Sequence, residues 1–213
     1  VGDANAWVRL QSVLTLGESR DRRATAALVQ AAAEHLDESW MQDAVMSSAT
    51  GRAGELLAEI LARGAQQGQA KALLRPLCEM VAIERNPNEV AAVLTAIAAA
   101  PASSAVDQEA CVAALVKAFS SRRSSDETGS LAKSPTIRTA LGQLLTHESN
   151  AVNMSAYRLA QTLRIESLTE VKRLFDAVAA RALDDNAAVA DRLSAIDLLA
   201  SAPFEHLAPV ATK

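Results

Sequence analysis

The sequence predicts an all-α protein, folded as a right-handed α-α superhelix of about eleven or twelve helices. Three observations support this prediction. The chain of 213 residues contains 46 alanines and 26 leucines, the strongest helix formers, which together make about a third of it. Apolar residues recur with helical spacing almost without interruption, and no segment alternates with the period of two that a strand requires. Finally, helices near the two ends of the chain resemble each other.

The helical spacing can be followed from one end of the chain to the other. Each predicted helix carries apolar or small residues at spacings of three and four, so one side of it faces a neighbour. The stripes are Leu10, Val13, Leu14 and Gly17; Leu56, Leu57, Ile60 and Leu61; Val90, Val93, Leu94 and Ile97; Val112, Leu115, Val116 and Phe119; Ile137, Leu141, Leu144 and Leu145; Val171, Leu174, Phe175, Val178 and Ala182; and Val189, Leu193, Ile196 and Leu199.

Short breaks with capping residues separate these stripes. Pro87, Pro101 and Pro203 stand where a proline suits a helix start or a turn. Side chains that favour helix N-caps precede several stripes: Ser39, Ser134, Asn150 and Asn186. Residues 120–133 differ, because their Ser-rich beginning has no apolar stripe. We predict a flexible surface loop there.

Charge and composition exclude some classes of protein. The net charge is −4, with 21 basic and 25 acidic residues, whereas a surface that follows phosphates needs a basic excess. We therefore expect no nucleic-acid partner. No apolar run approaches the roughly 18 residues of a membrane helix, so we expect no membrane insertion by this segment.

An internal repeat leads to a family resemblance. Val8–Gly17 aligns with Asp191–Ala200, with Arg9 on Arg192, and Trp40 lies 33 residues after Trp7. Helix pairs repeated at such a period are typical of α-solenoids. The Val-Arg start and Leu-Gly end of Val8–Gly17 resemble the signature of HEAT repeats, of the armadillo-like class. Asp3 stands where that family carries a turn aspartate. The resemblance implies a scaffold that binds protein surfaces.

A narrower resemblance involves two further stretches. Arg9–Glu18, followed by Trp40–Ala49, is similar to the helical segment of planctomycete-type membrane-bound dehydrogenase-like proteins, and so is Arg192–Leu199 with Ala202–Phe204. In that family a sugar-dehydrogenase-like β-propeller precedes the segment and a c-type cytochrome follows it. The resemblance implies a periplasmic or exported parent protein. The start without Met and the end soon after a new helix also lead us to expect a piece of a longer chain.

The residues that carry chemistry are few and scattered. His35, His147 and His206 are far apart and near predicted helix ends, where a histidine meets the helix dipole favourably. Cys78 and Cys111 have apolar neighbours. We interpret them as buried free thiols, although a bond between stacked repeats is left open. No ligand spacing for zinc or covalent haem occurs, and we expect no metal or other cofactor.

Short motif matches give no catalytic site. Ser130 to Lys133 matches the SxxK motif of some serine enzymes, without its partner motifs. Asn153 begins a glycosylation sequon inside a predicted helix. The pairs Asp184–Asp185 and Asp126–Glu127 are adjacent, so they do not share a helix face and resemble turn or cap acids. We predict no catalytic, cofactor-binding or metal-binding residue in this segment.

Tryptophan and arginine allow two readings each. Trp7 and Trp40 suit either binding hot spots or packing between repeats, and we favour packing. Arg9 and Arg192 suit either an acidic partner or a turn aspartate of a neighbouring repeat, and we favour the turn aspartate.

Together, residues 1–213 are expected to form a single α-solenoid domain. We expect a non-enzymatic scaffold whose partners are protein surfaces, in particular flanking domains of the same parent chain, itself a possible sugar-dehydrogenase-like oxidoreductase. The alternative is a HEAT-like enzyme acting on nucleic acid, such as a DNA glycosylase, or a lyase-type module.

Overall fold

The chain is almost entirely helical. The computed structural model describes residues 1–19, 21–38, 40–121, 125–165 and 169–200, and no β-strand occurs among them. The described residues form twelve α-helices, within the predicted range of eleven or twelve. The α-helices are α1 (Ala6–Glu18), α2 (Arg22–His35), α3 (Met41–Ser48), α4 (Ala53–Arg63), α5 (Leu74–Glu84), α6 (Pro87–Ala99), α7 (Ala105–Ser121), α8 (Ser125–Lys133), α9 (Pro135–Leu145), α10 (Asn150–Thr162), α11 (Thr169–Leu183) and α12 (Val189–Leu199), and 3₁₀ segments span Gly64–Leu73 and Ala102–Ser104.

The helices pack against near neighbours along the chain. In one row, α1 packs on α3, α4 on α6, α6 on α9, and α9 on α11. In a second row, α2 packs on the 3₁₀ segment Gly64–Leu73, α5 on α7, and α7 on α10. Contacts between α1 and α2, and between α9 and α10, join the two rows. The core therefore extends along the molecule between the rows.

Most residues of the predicted apolar stripes are buried in this core, but the last stripe is mostly exposed: Val189, Leu193 and Ile196 are exposed, and Leu199 is buried. Val90, Val93, Leu94 and Ile97 of α6 are all fully buried, as the helical spacing predicts. The largest fully buried side chains lie in the same interior: Leu28, Met41, Leu56, Leu57, Ile60, Leu61, Leu73, Leu77, Leu94, Ile97, Leu115 and Phe175. Phe175 packs edge-on against Tyr157, with ring centroids 4.9 Å apart. Only small residues fit where helices of a row approach most closely.

Glycine permits two of these close approaches. A Cβ on Gly17 would lie 2.5 Å from Ser48 Oγ, at the contact between α1 and α3. A Cβ on Gly54 would lie 2.5 Å from the Cβ of Ala92, between α4 and α6. The sequence predicted Gly17 as a small packing position, and this prediction is confirmed.

Some predicted helix starts need correction. Ser134 caps α9, since its side chain accepts from Ile137 N, and Pro135 takes the first helical position. The cap of α10 is Ser149 rather than Asn150. Asn186 lies in the turn before α12, which begins only at Val189. Ser39 and Pro203 are outside the described residues.

The predicted loop over 120–133 is wrong for most of its length. α7 extends to Ser121, and α8 occupies Ser125–Lys133; residues 122–124 are not described. Leu131 is fully buried, where α8 packs against α6 and α9. Among the described side chains of α8, Leu131 and Ala132 pack on the core, so a largely polar helix docks there without a complete apolar stripe.

Candidate functional site

The two tryptophans lie on the surface, contrary to the prediction that they pack between repeats. Trp7 is 72% exposed and Trp40 is 67% exposed. They are the only tryptophans of the chain. Because an indole buries more apolar area than almost any other side chain, two exposed indoles on one small area mark a candidate binding surface.

Helix α1 brings Trp7 into line with two leucines. The Asn5 side chain caps α1 by accepting from the Trp7 backbone N–H at 2.9 Å, which fixes the first turn. Trp7, Leu10 and Leu14 are spaced by three and four residues, so they share one side of the helix. Leu14 is 38% exposed. Leu10 is partly buried against the core, so this side of α1 exposes an apolar surface at Trp7 and Leu14.

The turn before α3 presents Trp40 in an unusual conformation. Trp40 has φ 68° and ψ −7°, in the left-handed region, which a bulky residue rarely adopts. Its carbonyl oxygen accepts from Ala44 N at 2.9 Å and so begins the helix. Holding such a residue in this region costs of order 1–3 kcal/mol. The structure therefore contains a strained position whose side chain points to solvent.

The two tryptophans line one groove. Its volume is about 420 Å³, and its lining residues are Trp7, Leu10, Leu14, Trp40, Asp43 and Ala44. We call this site the Trp groove. On the other side of Trp7, a second depression of about 560 Å³ is lined by Val1, Trp7, Val8, Gln11, Ser12, Thr15 and Leu16. Trp7 is shared by the two, so the apolar surface continues around α1.

An ion-pair cluster fixes the turn that carries Trp40. Arg9 forms two bonds to Glu38, with Nη2 2.5 Å from Oε1 and Nε 3.2 Å from Oε2. Nδ1 of His35, the last residue of α2, is 3.1 Å from Glu38 Oε1. Arg9 also donates to the carbonyl of Asp3. These contacts connect α1, the end of α2 and the turn before α3, so the groove has a rigid support.

Both arginines pair with turn acids, but neither pair matches the predicted turn aspartate of a neighbouring repeat: the partner of Arg9 is a glutamate, and Asp185 lies in the turn before the helix that carries Arg192. Arg9 binds Glu38 in the turn between α2 and α3. Arg192 Nη2 lies 3.3 Å from Oδ1 of Asp185, in the turn before α12. Asp184 accepts from the Asn186 N–H at 3.0 Å, so both acids of this pair belong to a turn, as predicted.

The cysteines form a buried pair of free thiols. Cys78 and Cys111 are fully buried and unbonded, on helices α5 and α7, which pack together. A hydrogen bond between the two side chains, together with burial, raises the pKa of the Cys78 thiol well above its ordinary value. The predicted buried thiols are therefore confirmed, and Cys78 is a poor nucleophile near neutral pH.

Asp107 is the one acidic residue among the buried polar residues of the described ranges. Its Oδ1 lies 2.6 Å from Lys71 Nζ, and its Oδ2 accepts from Gln67 Nε2 at 3.0 Å. Both carboxylate oxygens are therefore occupied by the 3₁₀ segment before α5. This cluster attaches the start of α7 to its neighbour in the second row.

The remaining candidates lie far from one another. His35 ends α2, as predicted, and His147 follows α9, where its Nδ1 accepts from the Ser149 N–H at 3.0 Å. Ser130 and Lys133 are exposed on α8. Asn153 is buried within α10, which fits a chance sequon. His206 lies outside the described residues, and so do the side chains of Asp126 and Glu127.

Two further observations concern metals and membranes. The described part of the chain holds no group of three or more histidine, cysteine or acidic side chains arranged for a metal ion. Within the same ranges, no single helix is long and apolar enough to cross a membrane; α6 and the stretch Ala102–Ser121 reach that level only together, with a bend of 111° between them.

Sequence reasoning missed Asp43 and the exposed position of Leu14. A signal was present, because Trp7, Leu10, Val13, Leu14 and Leu16 cover more of α1 than one core-facing stripe needs. Comparison of the chain with protein families, with curated proteins and with solved structures finds no match. The geometry of the Trp groove is therefore the basis for a proposed function.

Proposed function

We propose that this chain is a non-enzymatic helical-repeat scaffold that binds another protein through the Trp groove. The observation that carries the proposal is the exposure of Trp7 and Trp40 on one groove. Tryptophan is among the residues most enriched at binding hot spots. Burying both indoles under a partner would remove a large apolar area from water.

The packing of the helices supports the repeat architecture. The contacts of α1 with α3, α4 with α6, α5 with α7 and α9 with α11 are of the kind that stacked helix pairs of a right-handed HEAT-like solenoid would make. In the exported multidomain setting that the dehydrogenase-like resemblance implies, the bound partner would be a flanking domain of the same parent chain.

The strain at Trp40 also favours a binding role. A glycine would occupy the left-handed position without cost, yet the chain places its largest side chain there and leaves it exposed. Such strain is typical of functional positions. The cost in stability is understandable if the indole is needed to contact a partner.

Peptide display on the purified full chain tests the proposal. Peptides selected from a random library should lose binding to a variant with Trp7→Ser and Trp40→Ser. The matched control is Val106→Ser, since Val106 is 78% exposed on α7 and does not line the groove. Circular dichroism should show that all three proteins keep the same helix content. If every selected peptide binds the double variant as well as the wild type, the Trp groove is not the binding site.

A further inference from the structure

The charge of the Trp groove identifies its partner more closely, on the basis of the proposed function. Among its lining residues, Asp43 alone is charged. Asp43 is exposed in the first turn of α3, three residues after Trp40. Within the described residues, its carboxylate has no ion pair or side-chain hydrogen bond. The groove therefore combines two aromatic faces with one uncompensated negative charge.

The neighbouring arginine does not neutralise this carboxylate. Arg9 lies two residues after Trp7, but it is bound to Glu38 through both Nε and Nη2. A partner that covers Asp43 is therefore favoured if it carries a positive charge there, and the net charge of −4 also favours a basic partner.

The chemistry of indole rings favours a cation at the same place. The face of a tryptophan ring is electron-rich and attracts cations more strongly than the faces of tyrosine or phenylalanine. A guanidinium stacks on such rings because it is planar and weakly hydrated, and it also pairs with a carboxylate through a fork of N–H donors. An arginine thus matches all three groups of the groove better than a lysine does.

The position of the groove also suggests the form of the occupant. The Trp groove lies between α1 and α3, two helices packed side by side in the first row. Grooves of this kind accept the apolar face of an amphipathic helix. We infer that the occupant is an amphipathic helix of a partner protein, which places an arginine between Trp7 and Trp40, against Asp43.

Tryptophan fluorescence offers a direct test, because both tryptophans of the chain line the groove. The probe is a short amphipathic helical peptide with leucines on one face and one arginine at the centre of that face. The comparison peptide carries citrulline there, which keeps the shape and removes the charge. Both are titrated into the full chain and into Asp43→Asn. Asp176→Asn is the matched control, since Asp176 is exposed on α11 and loses the same charge.

The inference predicts a saturable fluorescence change with the arginine peptide and roughly fivefold to thirtyfold weaker binding of the citrulline peptide. Asp43→Asn should weaken the binding of the arginine peptide by a similar factor and leave the binding of the citrulline peptide unchanged. Asp176→Asn should affect the binding of neither peptide.

Equal binding of both peptides would overturn the arginine inference and leave apolar docking in the Trp groove intact. No saturable change with either peptide would overturn the inference and the proposed docking function together. A blue shift that grows with protein concentration, without peptide, would identify a second copy as the occupant and would also overturn the inference.

Discussion

Helices α1 and α10 have the same length and the same number of apolar residues, but opposite environments. Each has 13 residues, of which seven are apolar. In α1 only Val13 is buried, whereas α10 buries eight residues. The larger side chains are in α1, and the buried face of α10 includes Ser155, Ala156 and Ala160. In these two helices, therefore, the number of apolar residues does not predict burial, and the buried helix is the one with small residues that allow close approach.

The largest difference in the free energy of unfolding should appear between two variants in which a leucine is replaced by alanine. Leu159 of α10 is fully buried, so Leu159→Ala should lower the free energy of unfolding by about 3 kcal/mol. Leu14→Ala removes the same atoms from the exposed side of α1 and should cost less than about 1 kcal/mol. Urea denaturation of the two variants measures both values. Equal losses would mean that the side of α1 facing the Trp groove is packed in solution.

A smaller change in the free energy of unfolding should appear at alkaline pH, and it should arise from a buried thiol in the packed middle of the molecule. The pKa of Cys78 is raised in the folded state by its hydrogen bond to Cys111 and by burial. A raised folded pKa stabilises the protein below the unfolded pKa of about 8.5, and this contribution is lost as the pH rises toward the folded pKa. The free energy of unfolding should therefore fall above that pH, by at most about 1.4 kcal/mol per pH unit for one thiol.

Cys78→Ala provides the comparison for this pH effect. Its free energy of unfolding should decline less between neutral and alkaline pH than that of the wild type, as measured by urea denaturation at each pH. The Trp7→Ser variant, altered far from the thiols, should keep the wild-type decline. A variant lacking Cys78 with an unchanged decline would show that other groups cause it.

The smallest effect should be a gain in stability at Trp40. Trp40→Gly relieves the left-handed strain and removes little buried area, so the free energy of unfolding should rise by about 0.5–1 kcal/mol. Trp7→Ala, in ordinary helical conformation, should change it by less than about 0.5 kcal/mol. Thermal melts of both variants check these values. A clear loss of stability in Trp40→Gly would restore the packing role that the sequence favoured.

The parts of the fold that were predictable depend on local interactions. Helix α6 follows from the Asn86–Pro87 start and the spacing of its four buried residues, because capping and periodicity act within the helix itself. Helix α8 was not predictable from its own residues, because its packing depends on contacts with other helices, α6 and α9. Its polar composition is that of a loop, and tertiary contact decides otherwise.

The candidate site was only partly visible in the sequence. Trp7 and Trp40 were recognised as an aligned pair, but a helical pattern does not say which side of a helix is covered. That depends on where α3 and α2 contact α1. The single charge of the groove was missed for a similar reason. Asp43 becomes a candidate binding residue only because it lies beside two indoles, one on α1 and one in the turn before α3.

The arrangement in two rows has a consequence for how the molecule folds and opens. Each described helix makes its main contacts with helices at most three elements away along the chain. Contacts of such short range close small loops, which favours rapid folding from more than one starting point. The contacts of α1 and α3 are chiefly with each other and with α2, so these helices can open while the middle of the described chain stays folded. The Trp groove lies between α1 and α3, so a bound helix would also slow local opening and amide hydrogen exchange in these two helices.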